Sequence, residues 1–165
     1  MKQIELTKDE FALFDDEDFV TVSQHRWYLR SDGIRKYAAA RVIREHRRTT
    51  IEMHRLVLGL NIGQKIMVDH IDGNGLNNQK TNLRLANDSQ NQMNQRPRRG
   101  CTSEYKGVSR CSETGMWRSK IVVARKQIYL GRYKDERKAA QAYDEAAERL
   151  FGQFARLNFP GEALD

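Results

Sequence analysis

The pattern that most constrains this chain lies near its end, where Ala139, Tyr143, Ala146 and Leu150, beside Ala140 and Ala147, recur at helical spacing. Asp135 is placed to cap such a helix and Gly152 to stop it. Its alanines carry little side chain, so the helix can lie close to a sheet. Three strand-like stretches precede it: Tyr105 to Ser109, Trp117 to Val123 and Gln127 to Tyr133. Turns containing Glu113-Thr-Gly115 and Arg125-Lys126 part them. Alternation sets Arg118, Lys120 and Val122 on one face and Trp117, Ser119 and Ile121 on the other. On the third strand Gln127 and Tyr129 oppose Ile128 and Leu130. The apolar rows are expected to meet the helix, and the basic rows to face outward.

Charge sharpens this picture. The 165 residues carry a net charge of +7, unevenly spread. Residues 1–50 hold 10 Lys and Arg against 9 Asp and Glu, and residues 51–95 hold 4 against 4. Residues 96–134 hold 11 against 2. A basic stripe confined to one segment favours a polyanion such as nucleic acid. An anionic membrane surface fits less well, because the stretch contains no amphipathic basic helix. The longest apolar run, Arg55-Leu-Val-Leu-Gly-Leu60, is far too short to span a bilayer, and the opening MKQIELTKDE lacks a secretory apolar core. A cytoplasmic chain is expected. Cys101 and Cys111 have no paired histidines nearby, so free thiols are expected rather than a zinc site.

Residues 1–57 read as β-rich. Ile4-Glu-Leu6 is extended, Asp15-Asp-Glu-Asp18 signals a turn or helix start, and Trp27 to Leu29 and Tyr37 to Ile43 are strands about the turn Ser31-Asp-Gly33. Thr49 to Met53 is expected to pair with the strand before it across Glu45 to Arg48. From Lys65 to Val68 a strand leads into Asp69-His70, and the loop Asp72 to Asn78 separates it from the strand Leu83-Arg-Leu85. A helix capped by Asn87, with Gln90 as capping-box partner, then runs through Asn91 to about Gln95. Arg96 to Ser103, with its Pro, Gly and arginines, is the expected linker.

An imidazole at the end of a strand can take a proton from water attacking a phosphodiester, and does so near neutral pH without large tuning. A hard divalent ion on oxygen ligands can neutralise the leaving oxygen. Asp69 offers a carboxylate, Asn91 a carbonyl oxygen, and Asn82 a side chain able to bond across the loop and orient His70. Turn chemistry is the competing reading of such residues, and it is the one adopted for Asp72, Asn74, Asn77 and Asn78.

The set VDHIDGN, TNLRLA and QN resembles the core of HNH endonucleases of the His-Me finger class, especially phage and intron homing enzymes. The resemblance implies a ββα-metal module, with Asp69 and Asn91 as ligands of one Mg²⁺ or Mn²⁺ ion, His70 as general base and Asn82 bracing it. The last position departs from the family name, being Asn rather than His. Met53-His-Arg-Leu-Val57 also resembles a segment preceding this core. His54 there is read as packing rather than phosphate contact, and Arg84 as either a buried ion pair or a phosphate contact.

Tyr105-Lys-Gly-Val-Ser109, Trp117-Arg118, Ile128 to Tyr133, Ala139 to Ala147, Phe151-Gly152 and Leu157 to Pro160 resemble the Apetala/ethylene-response-factor DNA-binding domain. That implies a three-stranded antiparallel sheet in the DNA major groove, backed by one helix. Lys106, Arg110, Arg118, Lys120, Gln127, Tyr129 and Arg132 fall at or beside its DNA-contacting positions. Ser109, Cys111 and Val122 stand where plant members carry arginines, so no target sequence carries over.

The expected class is α+β: a β-rich region 1–53, a nuclease core 54–96, a linker 97–103 and a DNA-binding domain 104–160. The expected function is metal-dependent cleavage of double-stranded DNA at a preferred site by a monomer or weak dimer, without a membrane or small-molecule cofactor, in a phage-infected or bacterial cell. The alternative is a non-catalytic DNA-binding regulator that keeps a nuclease-like core.

Overall fold

In a computed structural model, residues 1–44, 46–97 and 100–162 are described. The chain is mixed α+β and forms two compact units, Met1–Asn87 and Asp88–Asp165. Glu45 in the expected hairpin turn, and Arg98 and Arg99 in the expected linker, lie outside the described residues.

In the first unit β1 (Lys2–Glu5) pairs antiparallel with β2 (Phe11–Phe14). A 3-10 turn at Asp16–Asp18 leads into the short helix α1 (Phe19–Ser23). A three-stranded antiparallel sheet follows, from β3 (Trp27–Ser31), β4 (Lys36–Arg44) and β5 (Arg47–Glu52), with β4 in the centre. Ala38, Ala39 and Ala40 are all buried, so β4 is covered on both faces and only small side chains fit there. The helix α2 (Met53–Val57) begins at Met53, which was expected to end a strand. The chain turns helical there and buries the Met53 side chain completely, beside Phe14, Val22 and Trp27 in one core cluster.

Two further strands, β6 (Met67–His70) and β7 (Leu83–Ala86), make an antiparallel pair. β6 starts later than the expected Lys65, because the Gln64 and Ile66 carbonyls accept the Arg55 guanidinium at 2.7 and 2.5 Å instead.

The second unit opens with α3 (Asp88–Met93), which the contacts group with the C-terminal residues. Its sheet has the order β10-β9-β8, from β8 (Val108–Arg110), β9 (Trp117–Val123) and β10 (Lys126–Tyr133), all antiparallel. β8 begins beyond the expected Tyr105, since Val108 N closes a turn onto Tyr105 O and Lys106 N donates to Asn158 Oδ1. Across the sheet lies α4 (Glu136–Phe151), capped by Asp135, whose side chain accepts from Lys138 N at 3.0 Å. It ends at Gly152, where φ is +52°. Ala139, Ala140, Tyr143, Ala146 and Ala147 are buried, as their spacing requires. Gly107 sits so close beneath Tyr143 that a Cβ would lie 2.0 Å from its ring. Trp117 packs against the core cluster of Val108, Ala139 and Ala140. Ile128 departs from expectation: it pairs with Ile121 in the inward row but remains 41% exposed at the hairpin end, with no core cluster around it.

Candidate active site

The register of β6 and β7 sets Asp69 opposite Arg84 and His70 opposite Leu83. Asp69 and Arg84 meet directly: Arg84 Nε and Nη2 donate to Asp69 Oδ2 at 2.9 and 2.6 Å, with both side chains largely buried. Of the two roles considered for Arg84, the ion pair is therefore present in the fold. Two charge-assisted donors on one oxygen hold that oxygen in place and keep its charge paired.

The β6–β7 connection is held by its own side chains. Asn82 Nδ2 donates to Asp72 Oδ1 at 3.0 Å and to Asn77 O at 2.8 Å, while Asn82 Oδ1 accepts from Asp72 N at 3.0 Å. Asn82 O accepts from Ile71 N, and His70 O from Gly73 N. Asn82 thus clasps the loop that leaves His70. Asp72 and Asn74 build side-chain turns onto Asn74 N and Leu76 N, the chemistry that short polar residues favour in loops. Gly75 is needed for close approach, since a Cβ would stand 2.3 Å from Lys36 O. The N-terminal region braces the loop from outside. Leu13 exchanges backbone bonds with Leu76 and Asn78, and Asp15 accepts Lys80 N at 2.8 Å and Gln79 Nε2 at 3.3 Å.

His70 is buried within a small cluster of aromatic rings. The His54 ring lies 5.1 Å from it, edge to face, and Tyr37 packs 5.9 Å away. His54 is itself buried, with Nε2 3.3 Å from Glu52 Oε2. Glu52 also takes Arg30 Nη1 at 2.7 Å. The His54 hydrogen bond, and then nearby positive charge, hold the Glu52 carboxyl below its ordinary value against burial. Burial, reinforced by the charge of His54, lowers His70 to about 4, so its ring is neutral near pH 7 and able to accept a proton. Asn78, fully buried, lies against the ring and favours its protonated form.

The sequence alone does not single out Asn78, Tyr37 or Glu52, and His54 packs as expected, against the His70 ring. Neighbouring asparagines in a turn-like stretch give no sign that one is interior. The pairing of His54 with His70 depends on a tertiary ring contact between α2 and β6.

Residues 53–93 match the HNH endonuclease family profile. An uncharacterized HNH endonuclease of Acanthamoeba polyphaga mimivirus is 34% identical over 155 residues, covering 92% of this chain and 76% of that protein. The chain belongs to the HNH endonucleases.

Protein 3.8 of Escherichia phage T7 is 38% identical to this HNH endonuclease over 90 residues, or 54% of the chain and 74% of that protein. A third similarity is of another kind. APETALA2-like protein 2 of Oryza sativa subsp. indica is 43% identical over 61 residues, 37% of this chain but only 14% of that protein.

HNH nucleases are generally dependent on a divalent metal. The candidate donors here are a carboxylate, Asp69, and a carboxamide, Asn91, both hard oxygen donors that suit Mg²⁺ or Mn²⁺ better than a thiol-seeking ion. Asp69 is engaged by Arg84 through Oδ2, and Asn91 stands on α3 in the second unit. Among the described residues no group of three or more His, Cys, Asp and Glu side chains gathers to hold a metal. No helix among them is long and apolar enough to cross a membrane.

In the second unit the register collects most of the predicted DNA-contacting residues on one face. Ser109, Arg118 and Arg132 form one cross-strand row, Lys120 and Tyr129 a second, and Val122 and Gln127 a third. Lys120 Nζ reaches Gln127 Oε1 at 3.3 Å, and Tyr129 is 54% exposed. A shift in register between Tyr129 and Gly131 keeps Arg132 level with Arg118. Ser119 and Ile121 fill the opposite face and are buried. Two predicted residues stand elsewhere. Arg110 pairs with Trp117 on the alternate row, its guanidinium 5.7 Å from that ring, and the Lys106 ammonium donates to Met93 O.

Proposed function

We propose that this HNH endonuclease is of the homing type, hydrolysing phosphodiesters in duplex DNA at a preferred site with one Mg²⁺ or Mn²⁺ ion. His70 takes a proton from water as the water oxygen bonds to phosphorus, and the bond from phosphorus to the 3′ oxygen breaks, that oxygen leaving with the electron pair and taking a proton from solvent. The products are a 5′-phosphate and a 3′-hydroxyl. Asn82 sets the ring indirectly, by clasping the loop that follows it. Asp69 and Asn91 are the residues assigned to the metal. A divalent ion held there would supply positive charge to offset the charge that develops on the leaving oxygen. The sheet face of Arg118, Lys120, Gln127, Tyr129 and Arg132, with Lys106 and Arg110 beside it, is the assigned duplex-binding surface, of the ethylene-response-factor type. The setting is the cytoplasm of a bacterial or phage-infected cell, and one active site per chain leads to nicking unless two chains assemble.

The observation that carries this reading is a neutral, buried His70 at a strand end, next to an acid held in its own ion pair. The test is cleavage of supercoiled plasmid and phage genomic DNA, with Mg²⁺ or Mn²⁺ and with a chelator. His70→Ala should slow cutting by about 10²–10⁴-fold, the usual contribution of a general base, and leave duplex binding intact. Equal cutting by the variant would show that His70 is not the base.

A further inference from the structure

The tip of the β4–β5 hairpin is built unlike the rest of the first unit. Residues 41–48 read Arg-Val-Ile-Arg-Glu-His-Arg-Arg, with four arginines in eight positions. β3 pairs with β4 only as far as Ala40, so beyond that point β4 and β5 continue as a two-stranded ribbon. None of the described ribbon residues from Arg41 to Thr50 is buried. Arg44 lies directly opposite Arg47, and Ile43, 76% exposed, lies opposite Arg48. Like charges facing each other across a ladder destabilise it. Among the described residues, no carboxylate forms an ion pair with Arg41, Arg47 or Arg48; Arg41 has only the Tyr28 ring, at 5.8 Å. The ribbon beyond Ala40 adds nothing to the core, where Ala38 to Ala40 do the packing.

The other end of the same strand touches the candidate active site, since Tyr37 packs 5.9 Å from the His70 ring. From Tyr37 to Arg44 is seven residues, about 23 Å at roughly 3.3 Å per residue. That reach corresponds to about seven base pairs at 3.4 Å each. A ribbon of two strands also fits a DNA groove.

We propose that the β4–β5 ribbon is a DNA-holding arm, whose Arg41, Arg47 and Arg48 contact phosphates of the substrate duplex within about seven base pairs of the scissile bond. The inference rests on the reading that the chain acts on duplex DNA. It gives residues 1–53 a second task besides bracing the catalytic loop. The contacts are to phosphate, so they add affinity and position the duplex without reading its sequence.

The test uses the full chain and a labelled mixed-sequence duplex of about 40 base pairs, in chelator so that nothing is cut, over about 50 to 200 mM salt. Arg41→Gln/Arg47→Gln/Arg48→Gln should lower the slope of log affinity against log salt by about two to three, near 0.9 per lost phosphate contact. The corresponding triple Lys variant should keep the wild-type slope, separating charge from side-chain shape. The thermal transition of the Gln variant should stay close to that of wild type, because the three side chains are exposed. An unchanged slope in the Gln variant, with wild type binding well, overturns the arm alone. Failure of the wild type itself to bind duplex overturns the duplex-DNA reading and the arm with it. Loss of self-association, or of binding to phosphatidylserine vesicles, with an unchanged DNA slope would assign the ribbon to another partner and overturn the proposal.

Discussion

The two units place the polar groups assigned to function in opposite ways, although the second also buries Asp144 and Ser119 for structure. The first buries Asp18, His54, Asp69, His70, Asn78 and Asn82. The second turns Arg118, Lys120, Gln127, Tyr129 and Arg132 outward from a sheet whose other face meets α4. Buried polar groups act at short range with their orientation fixed, but each must be satisfied or it costs stability. Outward charges act on whatever approaches and cost the fold almost nothing. The first arrangement suits bond-breaking, the second suits holding a polyanion, and substitutions should separate the two.

The largest expected effect is in the first unit. Arg84→Ala leaves Asp69, 5% exposed, without the fork that now holds it. Breaking a buried pair by removing one partner costs about 3–5 kcal/mol. Urea denaturation should show that loss, while Arg84→Ala/Asp69→Asn should recover part of it by removing the stranded charge. If Arg84→Ala denatures like wild type, the pair is not the internal strut that its burial implies.

The same contrast decides what could be read from sequence. In the second unit a helix repeating at 3.6 and strands alternating at 2 gave the element order, the inward row of Ser119 and Ile121 and the outward row of Arg118 and Lys120. What escaped there depends on a single tertiary bond set: Asp144, 1% exposed, accepts Asn158 N, Asn158 Nδ2 and Phe159 N at 2.9 to 3.0 Å and pins the C-terminal segment to α4. In the first unit the strand pair around Asp69-His70 was legible, but β2 was not, because Phe-Ala-Leu-Phe carries no alternation. The helices α1 and α2 span five residues each, too short to show a period. Asn77 and Asn78 look alike in the sequence. Only the fold turns one toward Asp72 and the other against the His70 ring.

A smaller effect sharpens the comparison from the second unit. Asp135→Ala removes the acceptor for Lys138 N at the start of α4 and should cost about 1 kcal/mol. The loss should appear in the stability of the second unit, and Asp135→Ser should restore most of it, because a hydroxyl can accept the same bond. Cleavage chemistry should be unaffected, since the residue lies outside the cluster around His70. A change in the rate of the cutting step, at saturating DNA, would show that the two units do not divide their tasks as their burial patterns indicate.

The smallest effect on stability is expected where the effect on binding is plain. Arg118→Gln/Lys120→Gln removes two cations from the outward face, where Arg118 reaches the Cys111 sulfur at 3.7 Å and Lys120 the Gln127 carboxamide. Surface changes of this kind shift stability by no more than about 0.5 kcal/mol. If both cations contact phosphates, the salt slope of duplex binding should fall by about two. The fall should add to that from the ribbon arginines, because separate sites without shared partners act independently. Additive slopes would mean that the duplex is held at two places, one on each unit. A combined variant no weaker than either parent would mean that one surface alone engages DNA, and the variant with the larger single loss would identify which.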